Sequence, residues 1–279
     1  MTALTIQLRA SFAFVERNFN LIKRYWAWEM VWLIYSTAES LSVSFIGLGM
    51  GAISGNGAAA PQVDTGYLVL YLLIGTLVWR FLSMIFYWIT DLINIERWEG
   101  TIEYTLMAPV RRLTHMAGQT VFAVVYSLFF TGIILTVTTL VFKIDLSRAN
   151  ILGGVAMILS GSISFIGIGI MASSLPLLFP ERGAQMTNVF IALLMLVSGV
   201  YYPVSVLPGI LRQLAVYSPA TYVLEGVRRA MLEGAPTHEL WGLMRPVLFI
   251  GVLLVPAGLW VFAQAERYAK RAGKLHRNG

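Results

Sequence analysis

Glu39 and Arg80 are ionisable residues set deep in apolar sequence, where a charge can serve an ion pair, a proton relay or a substrate counter-ion. At about 1.5 Å per helical residue, Glu39 lies about 18 Å and Arg80 about 15 Å from the same-side ends of their apolar runs. An unpaired charge at that depth costs about 2.5–3.5 kcal/mol on insertion scales, so the two are expected to pair between adjacent spans or to face one aqueous cavity. A structural ion pair and a part in substrate or proton handling both fit this placement. Glu99 and Glu103 form a second constellation, four residues apart and so on one helical face, beside an apolar edge of Trp98, Ile102 and Thr105. Such a face suits a protein partner, or is simply solvated beside a membrane.

Other reactive chemistry is missing. With 0 Cys the chain has no disulfide, no thiol nucleophile and no thiolate metal site. His115, His238 and His276 are dispersed, and neither His-Glu-x-x-His nor Gly-x-Ser-x-Gly occurs, so metalloprotease and serine-hydrolase readings have no support and no catalytic or metal residue is assigned. No Gly-x-x-x-x-Gly-Lys-Ser/Thr loop is present, because Gly273-Lys274 is followed by Leu. The chain therefore lacks its own phosphate loop for ATP.

The elements that position these residues follow from composition. The chain has 279 residues, 57% hydrophobic and 12% charged, with mean hydropathy +0.73. A soluble domain carries about twice that charged fraction. Runs without Asp, Glu, Lys or Arg at 40–63, 113–142, 149–180, 183–211 and 246–265 are each long enough to cross a hydrocarbon core as helix. They lack two-residue alternation and exceed barrel-strand length, so the fold class is an all-α integral membrane bundle. Six spans are expected at about 27–51, 67–90, 114–142, 151–178, 187–206 and 246–264. Ala58, Ala59 and Ala60 imitate a signal cleavage site, but the preceding apolar region is too long and starts too late for a signal peptide.

The +6 net charge sits at the ends of apolar runs rather than in an aromatic-interleaved stripe, which speaks for membrane topology and against nucleic acid. With cytoplasmic termini, thirteen Lys and Arg fall inside and six outside, and loop 52–66 has none. Both termini are thus expected in the cytoplasm, with the chain multi-pass in the inner (plasma) membrane.

Three flanking regions complete the layout. In 1–26, Leu4, Leu8, Phe12, Val15, Phe19 and Ile22 form one helical stripe, the mark of an interfacial helix against lipid that serves as an anchor or clasps a partner. Segment 94–109 reads as a short cytoplasmic amphipathic helix ended by Pro109. In 203–235, Pro203, Pro208 and Pro219 interrupt an apolar stretch, giving short re-entrant helices that cap the bundle's outer mouth or gate it. Glu225 precedes Arg228 and Arg229 at ion-pairing spacing. Gly47, Gly51 and Gly55 permit a close helix contact within one subunit or between two. Residues 265–279 form a basic tail.

Two of these stretches resemble a known family. Glu96, Glu99, Gly100-Thr101, Glu103, Leu106 and Pro109 to Arg111 are similar to the coupling segment of type-two ABC exporter permeases, the membrane subunits of drug, polysaccharide and lipid exporters. Gly199-Val-Tyr-Tyr-Pro-Val-Ser-Val-Leu-Pro-Gly-Ile-Leu-Arg, with Tyr217-Ser-Pro-Ala-Thr-Tyr-Val-Leu-Glu-Gly-Val-Arg-Arg, resembles that family's outer region before the last span. Their order and spacing extend the resemblance over nearly the whole chain. It implies a permease in the 27–264 domain that pairs with a second copy or a paralogue and docks two copies of a separate ATPase holding ATP and Mg. It also implies coupling through Glu96, Trp98, Glu99, Ile102, Glu103 and Leu106, and an outer exit region with Tyr201, Tyr202, Pro203, Pro208, Tyr222, Glu225 and Arg228. The cargo would be a lipid-like, drug-like or lipid-linked glycan amphiphile. An ion-coupled secondary transporter using Glu39 and Arg80, or a non-transporting scaffold, are the alternatives.

Overall fold

A computed structural model describes residues 3–55, 65–92, 95–96, 99–107, 110, 112–179 and 181–272, without the side chains of 3–4, 51–55, 102–103, 106 and 112. All regular structure among them is helical. The helices are α1 (Ala3–Arg24), α2 (Trp26–Gly55), α3 (Thr65–Thr90), α4 (Ile102–Met107), α5 (Arg112–Phe142), α6 (Ile151–Ala172), α7 (Ser174–Leu178), α8 (Gly183–Ser198), α9 (Gly209–Ala215), α10 (Pro219–Leu232) and α11 (Trp241–Arg271), with a 3₁₀ turn at Val204–Val206. Ala58 to Ala60 and the end of the basic tail lie outside the described residues.

Among the described residues, five helical stretches are long and apolar enough to cross a membrane: Trp26–Met50, Thr65–Thr90, Leu113–Phe142, Ile151–Leu178 and Trp241–Arg271. The chain is a multi-pass, all-α membrane protein. The run expected at 187–206 is instead α8, 16 residues from 183 to 198 and about 24 Å long. Gly199 ends it in the left-handed conformation (φ 71°), which a side chain would strain, and Pro203 is itself extended, so the chain re-enters helix only in the 3₁₀ turn that follows.

α3 is the hub. Apart from the side carrying Thr76, Arg80 and Ser83 it is apolar, as a helix buried within a bundle should be, and it packs on α2, α5, α6 and α10. Phe81, Leu82, Ile85, Phe86 and Ile89 of α3 meet Met157 and Phe165 of α6, Val223 of α10 and Phe262 of α11 in the main core. Leu73 and Leu77 form a second cluster with Phe122, Tyr126, Phe130 and Ile134 of α5.

Small residues set the closest approaches, as expected where lipid supplies little drive for helices to associate. α2 presents buried Ser36, Ser40 and Ser44, with the Ser40 and Ser44 hydroxyls donating back to Ser36 and Ser40 carbonyls (both 2.9 Å). One turn on, a Cβ at Gly47 would come within 3.0 Å of Val69 Cα, so this glycine serves contact within the subunit. α6 and α11 meet the same way at Gly167, Gly251 and Gly258. α11 continues through Pro246 and Pro256 as one helix. Asn150 caps α6 by accepting from Gly153 N–H (2.9 Å) while donating to Ala235 O (2.8 Å), which ties the chain after α10 to the start of α6.

Candidate functional site

α2, α3 and α5 line an open-sided cavity of about 1070 Å³. Its α2 wall is a stripe at helical spacing, Trp28 and Glu29, Trp32, Tyr35 and Ser36, then Glu39, with Tyr25 just before the helix. Thr76, Trp79, Arg80, Ser83, Tyr87 and Trp88 of α3 and Tyr126 and Phe130 of α5 face it. Tyr201 borders one end and Asp91, Ile95 and Glu99 the other, beside α1, with Asn188 of α8 also lining the cavity.

Glu39 and Arg80 meet in this cavity. Arg80 Nη2 donates to Glu39 Oε2, and Arg80 Nη1 donates to Ser36 Oγ, one turn before Glu39 on α2. Arg80 is the more buried partner, so the pair and the serine hydroxyl together compensate its guanidinium. Glu29, which the sequence reading left unassigned, stands on the same wall and accepts from the hydroxyl of Tyr126. Its signal was available, a carboxylate inside an apolar helix with a period shared by Ser36 and Glu39, but its place in the first turn of α2 made it look like a border charge.

At the α1 end of the cavity, one arginine gathers the acidic segment. Arg17 Nη1 lies 3.3 Å from Glu96 Oε1, and Nη2 lies 3.3 Å from Glu99 Oε2 and donates to Thr101 Oγ1 (3.1 Å). Glu96 is only 1% exposed, and His115 Nε2 of α5 approaches its Oε1 to 3.1 Å off the line of a good hydrogen bond. Asn18 donates to Gln119 (2.6 Å), and Gln119 donates to Trp88 O (2.8 Å), linking α1, α5 and α3. α1 can sit this close because a Cβ at Gly118 would fall 2.5 Å from Ser11 O. The apolar stripe of α1 divides: Val15 and Ile22 pack on the second core cluster, while Leu8, Phe12 and Phe19 stay exposed. Arg17 was passed over in the sequence because its partners lie about 80 positions away, beyond any local spacing rule.

Among the described residues of segment 94–109, Ile95 and Glu96 are helical and α4 follows after a turn in which Gly100 takes a positive φ of 71°. Trp98, Pro109 and the side chains of Ile102, Glu103 and Leu106 lie outside the described residues. Tyr104 (74% exposed) and Met107 (73%) form an exposed apolar pair on α4, spaced i, i+3.

The far end is organised around Arg228. The spacing that allowed Glu225 to pair with either arginine is used by Arg229 (2.9 Å), whereas Arg228 is buried and turns inward. It donates to Gly199 O (3.0 Å) and Val200 O (2.6 Å), and its guanidinium lies 3.7 Å from the centre of the Tyr71 ring. The left-handed turn at Gly199 aims those two carbonyls at one planar fork, a geometry that i, i+3 counting does not contain. Gly75 leaves room for it, since a Cβ there would overlap Val200 O at 2.1 Å. Tyr202 and Tyr222 donate to Leu196 O (2.5 Å) and Val216 O (2.8 Å), so both hydroxyls tie local backbone. Of the tyrosines singled out here, Tyr201 reaches the cavity. Pro203 precedes the 3₁₀ turn and Pro208 precedes α9.

Residues 11–232, more than three quarters of the chain, match the family described as ABC-2 type transporter. The chain is 26% identical over 164 residues to the linearmycin resistance permease protein LnrN of Bacillus subtilis (strain 168), covering 58% of this chain and 42% of that protein. It is 25% identical over 157 residues to the probable multidrug ABC transporter permease YbhR of Escherichia coli (strain K12), covering 56% and 42%. The chain thus spans a little over two fifths of the length of the curated relatives it matches.

Proposed function

This chain belongs to the ABC-2 type transporter family, and from that membership we propose that it is the membrane-spanning permease subunit of an exporter driven by a separate ATPase. In this reading α8 is a sixth span, short because 199–218 completes the crossing. The α1 and α4 end faces the cytoplasm, the Arg228 end faces outward, and the membrane is the plasma membrane. Two permease subunits assemble with two ATPases, which hold ATP and Mg. The cargo is an amphiphile, a reading supported by relatives named for linearmycin resistance and multidrug transport.

The observation that carries the proposal is the position of Glu99. Its carboxylate pairs with Arg17 of α1 and also borders the cavity. A force applied to α4 by an ATPase docked on Tyr104 and Met107 would therefore reach α1 through Arg17 and the cavity floor through Glu99. Nucleotide binding drives transport only if the ATPase holds one arrangement of this segment more tightly than the other. Variants here should change coupling before they change cargo affinity. Replacing Glu99 and Glu103 with Lys is expected to abolish ATPase co-purification or nucleotide-driven transport in liposomes. Unchanged values for both would remove the docking assignment.

A further inference from the structure

The cavity carries a negative charge that its walls leave unanswered. In its far half Arg80 and Glu39 cancel each other, with Ser36 taking a further guanidinium hydrogen bond. Glu29 differs: its hydrogen-bond partner is the neutral phenol of Tyr126, and it has no ion pair among the described residues. A carboxylate in that position favours an incoming cation and repels an anion, more strongly than in water because the surroundings are apolar.

The walls beside it are aromatic. Along α2 the rings of Trp28 and Trp32 are 6.2 Å apart at 85°, and those of Trp32 and Tyr35 are 5.8 Å apart at 87°, which makes an edge-to-face ladder. Opposite, Trp88 and Tyr126 pack at 5.3 Å and 74°. Ring faces attract a cation within about 6 Å of their centres and also stack on other rings. The volume of about 1070 Å³ is at the upper end of the roughly 300–1,000 Å³ usual for small-molecule sites, enough for a drug-sized polycyclic body.

We propose that this cavity binds a lipophilic aromatic cation, with its positive centre beside Glu29 and its rings between the α2 ladder and the Trp88–Tyr126 wall. The inference deepens the exporter reading and rests on it. It selects among amphiphiles: a drug-like cation fits, and an anionic lipid or lipid-linked acidic glycan does not.

The test is equilibrium dialysis of the full-length permease, with its ATPase, in lipid nanodiscs against radiolabelled tetraphenylphosphonium and, separately, tetraphenylborate, which has similar shape and opposite charge. Empty nanodiscs are subtracted. Saturable phosphonium binding is expected, about tenfold or more tighter than borate binding. Glu29→Gln keeps an acceptor for Tyr126 but removes the charge, and should weaken phosphonium binding about tenfold. Trp32→Ala should weaken it as well, whereas Trp260→Ala, on α11 outside the cavity, should not. Equal binding of the two ions, or wild-type affinity in Glu29→Gln, overturns the inference. If Glu29→Gln does not fold, the contrast between the two ions on the wild-type protein still decides it. A complex that forms and hydrolyses ATP yet shows no preference for the phosphonium sinks this inference and leaves the exporter reading standing. A permease that recruits no ATPase sinks that reading, while dialysis on the permease alone still measures the preference.

Discussion

A charge inside a bilayer must be answered, and the structure answers Arg80 with two groups on one face of α2, Glu39 and Ser36. Replacing the carboxylate with a neutral amide leaves the guanidinium with hydrogen-bond acceptors but no counter-charge, and an uncompensated charge at helix mid-depth costs about 2.5–3.5 kcal/mol on insertion scales. Glu39→Gln is therefore expected to lower the thermal midpoint in detergent. The double variant Glu39→Gln with Arg80→Met should recover most of the loss, because no charge is then stranded. Fluorescence-detected thermal scans of the purified variants check this, and a double variant less stable than the single one would refute it. At the far end, Arg228 bridges two successive carbonyls and stacks on Tyr71, a task for a planar fork. Lys offers a point charge with no such plane. Arg228→Lys should loosen the 199–217 turn, read as faster proteolysis within it, by a factor of about ten for each 1.4 kcal/mol lost.

At the scale of elements, the docking of α1 decides how the acidic segment is held. It depends on a glycine and two amides as well as on the inward part of the apolar stripe: Gly118 admits the α1 backbone, and Asn18 and Gln119 fix its register. The chain has 0 Cys, so introduced cysteines report without background. Asn18→Cys with Gln119→Cys should be joined by a short bifunctional thiol cross-linker, which replaces the two amide arms that meet there at 2.6 Å. Adding Gly118→Leu should abolish the cross-link by forcing α1 away from α5. A cross-link that persists would show that α1 is held elsewhere. The periodicity of 3.6 identified α1 as an amphipathic helix in sequence, but not which residues face protein. Val15 and Ile22 turn inward and Leu8 and Phe12 outward, a division set by where α5 lies.

For the whole molecule, Glu99 joins the cavity to the α1 clasp, and α4 follows it closely in the chain. Tyr104 and Met107 project from the segment that Arg17 holds by its acidic residues. Tyr104→Ala with Met107→Ala should weaken ATPase co-purification about tenfold or more, because exposed aromatic and Met side chains are characteristic interface anchors. The thermal midpoint of the permease alone should hardly move, since neither side chain is buried within it. A fall in stability with undiminished co-purification would assign the pair to the fold instead. The outward-facing aromatic surface of α2, with Trp26 and Ile34 exposed beside the cavity stripe, is available to lipid or to a second permease copy.

Composition and charge-free run length alone determined that this is a helical membrane protein, because the cost of unsatisfied backbone in hydrocarbon leaves few alternatives. The depths of Glu39 and Arg80 could be counted along their helices for the same reason. Tertiary structure alone decided which charges are answered and by what. Arg17 reaches residues about 80 positions distant, Glu29 meets Tyr126 across the bundle, and Arg228 abandons Glu225 for the carbonyls that Gly199 presents. Local spacing constrains contacts within a turn or two of helix. Contacts between helices depend on the small residues that let particular faces approach, and those faces are chosen only when the bundle packs.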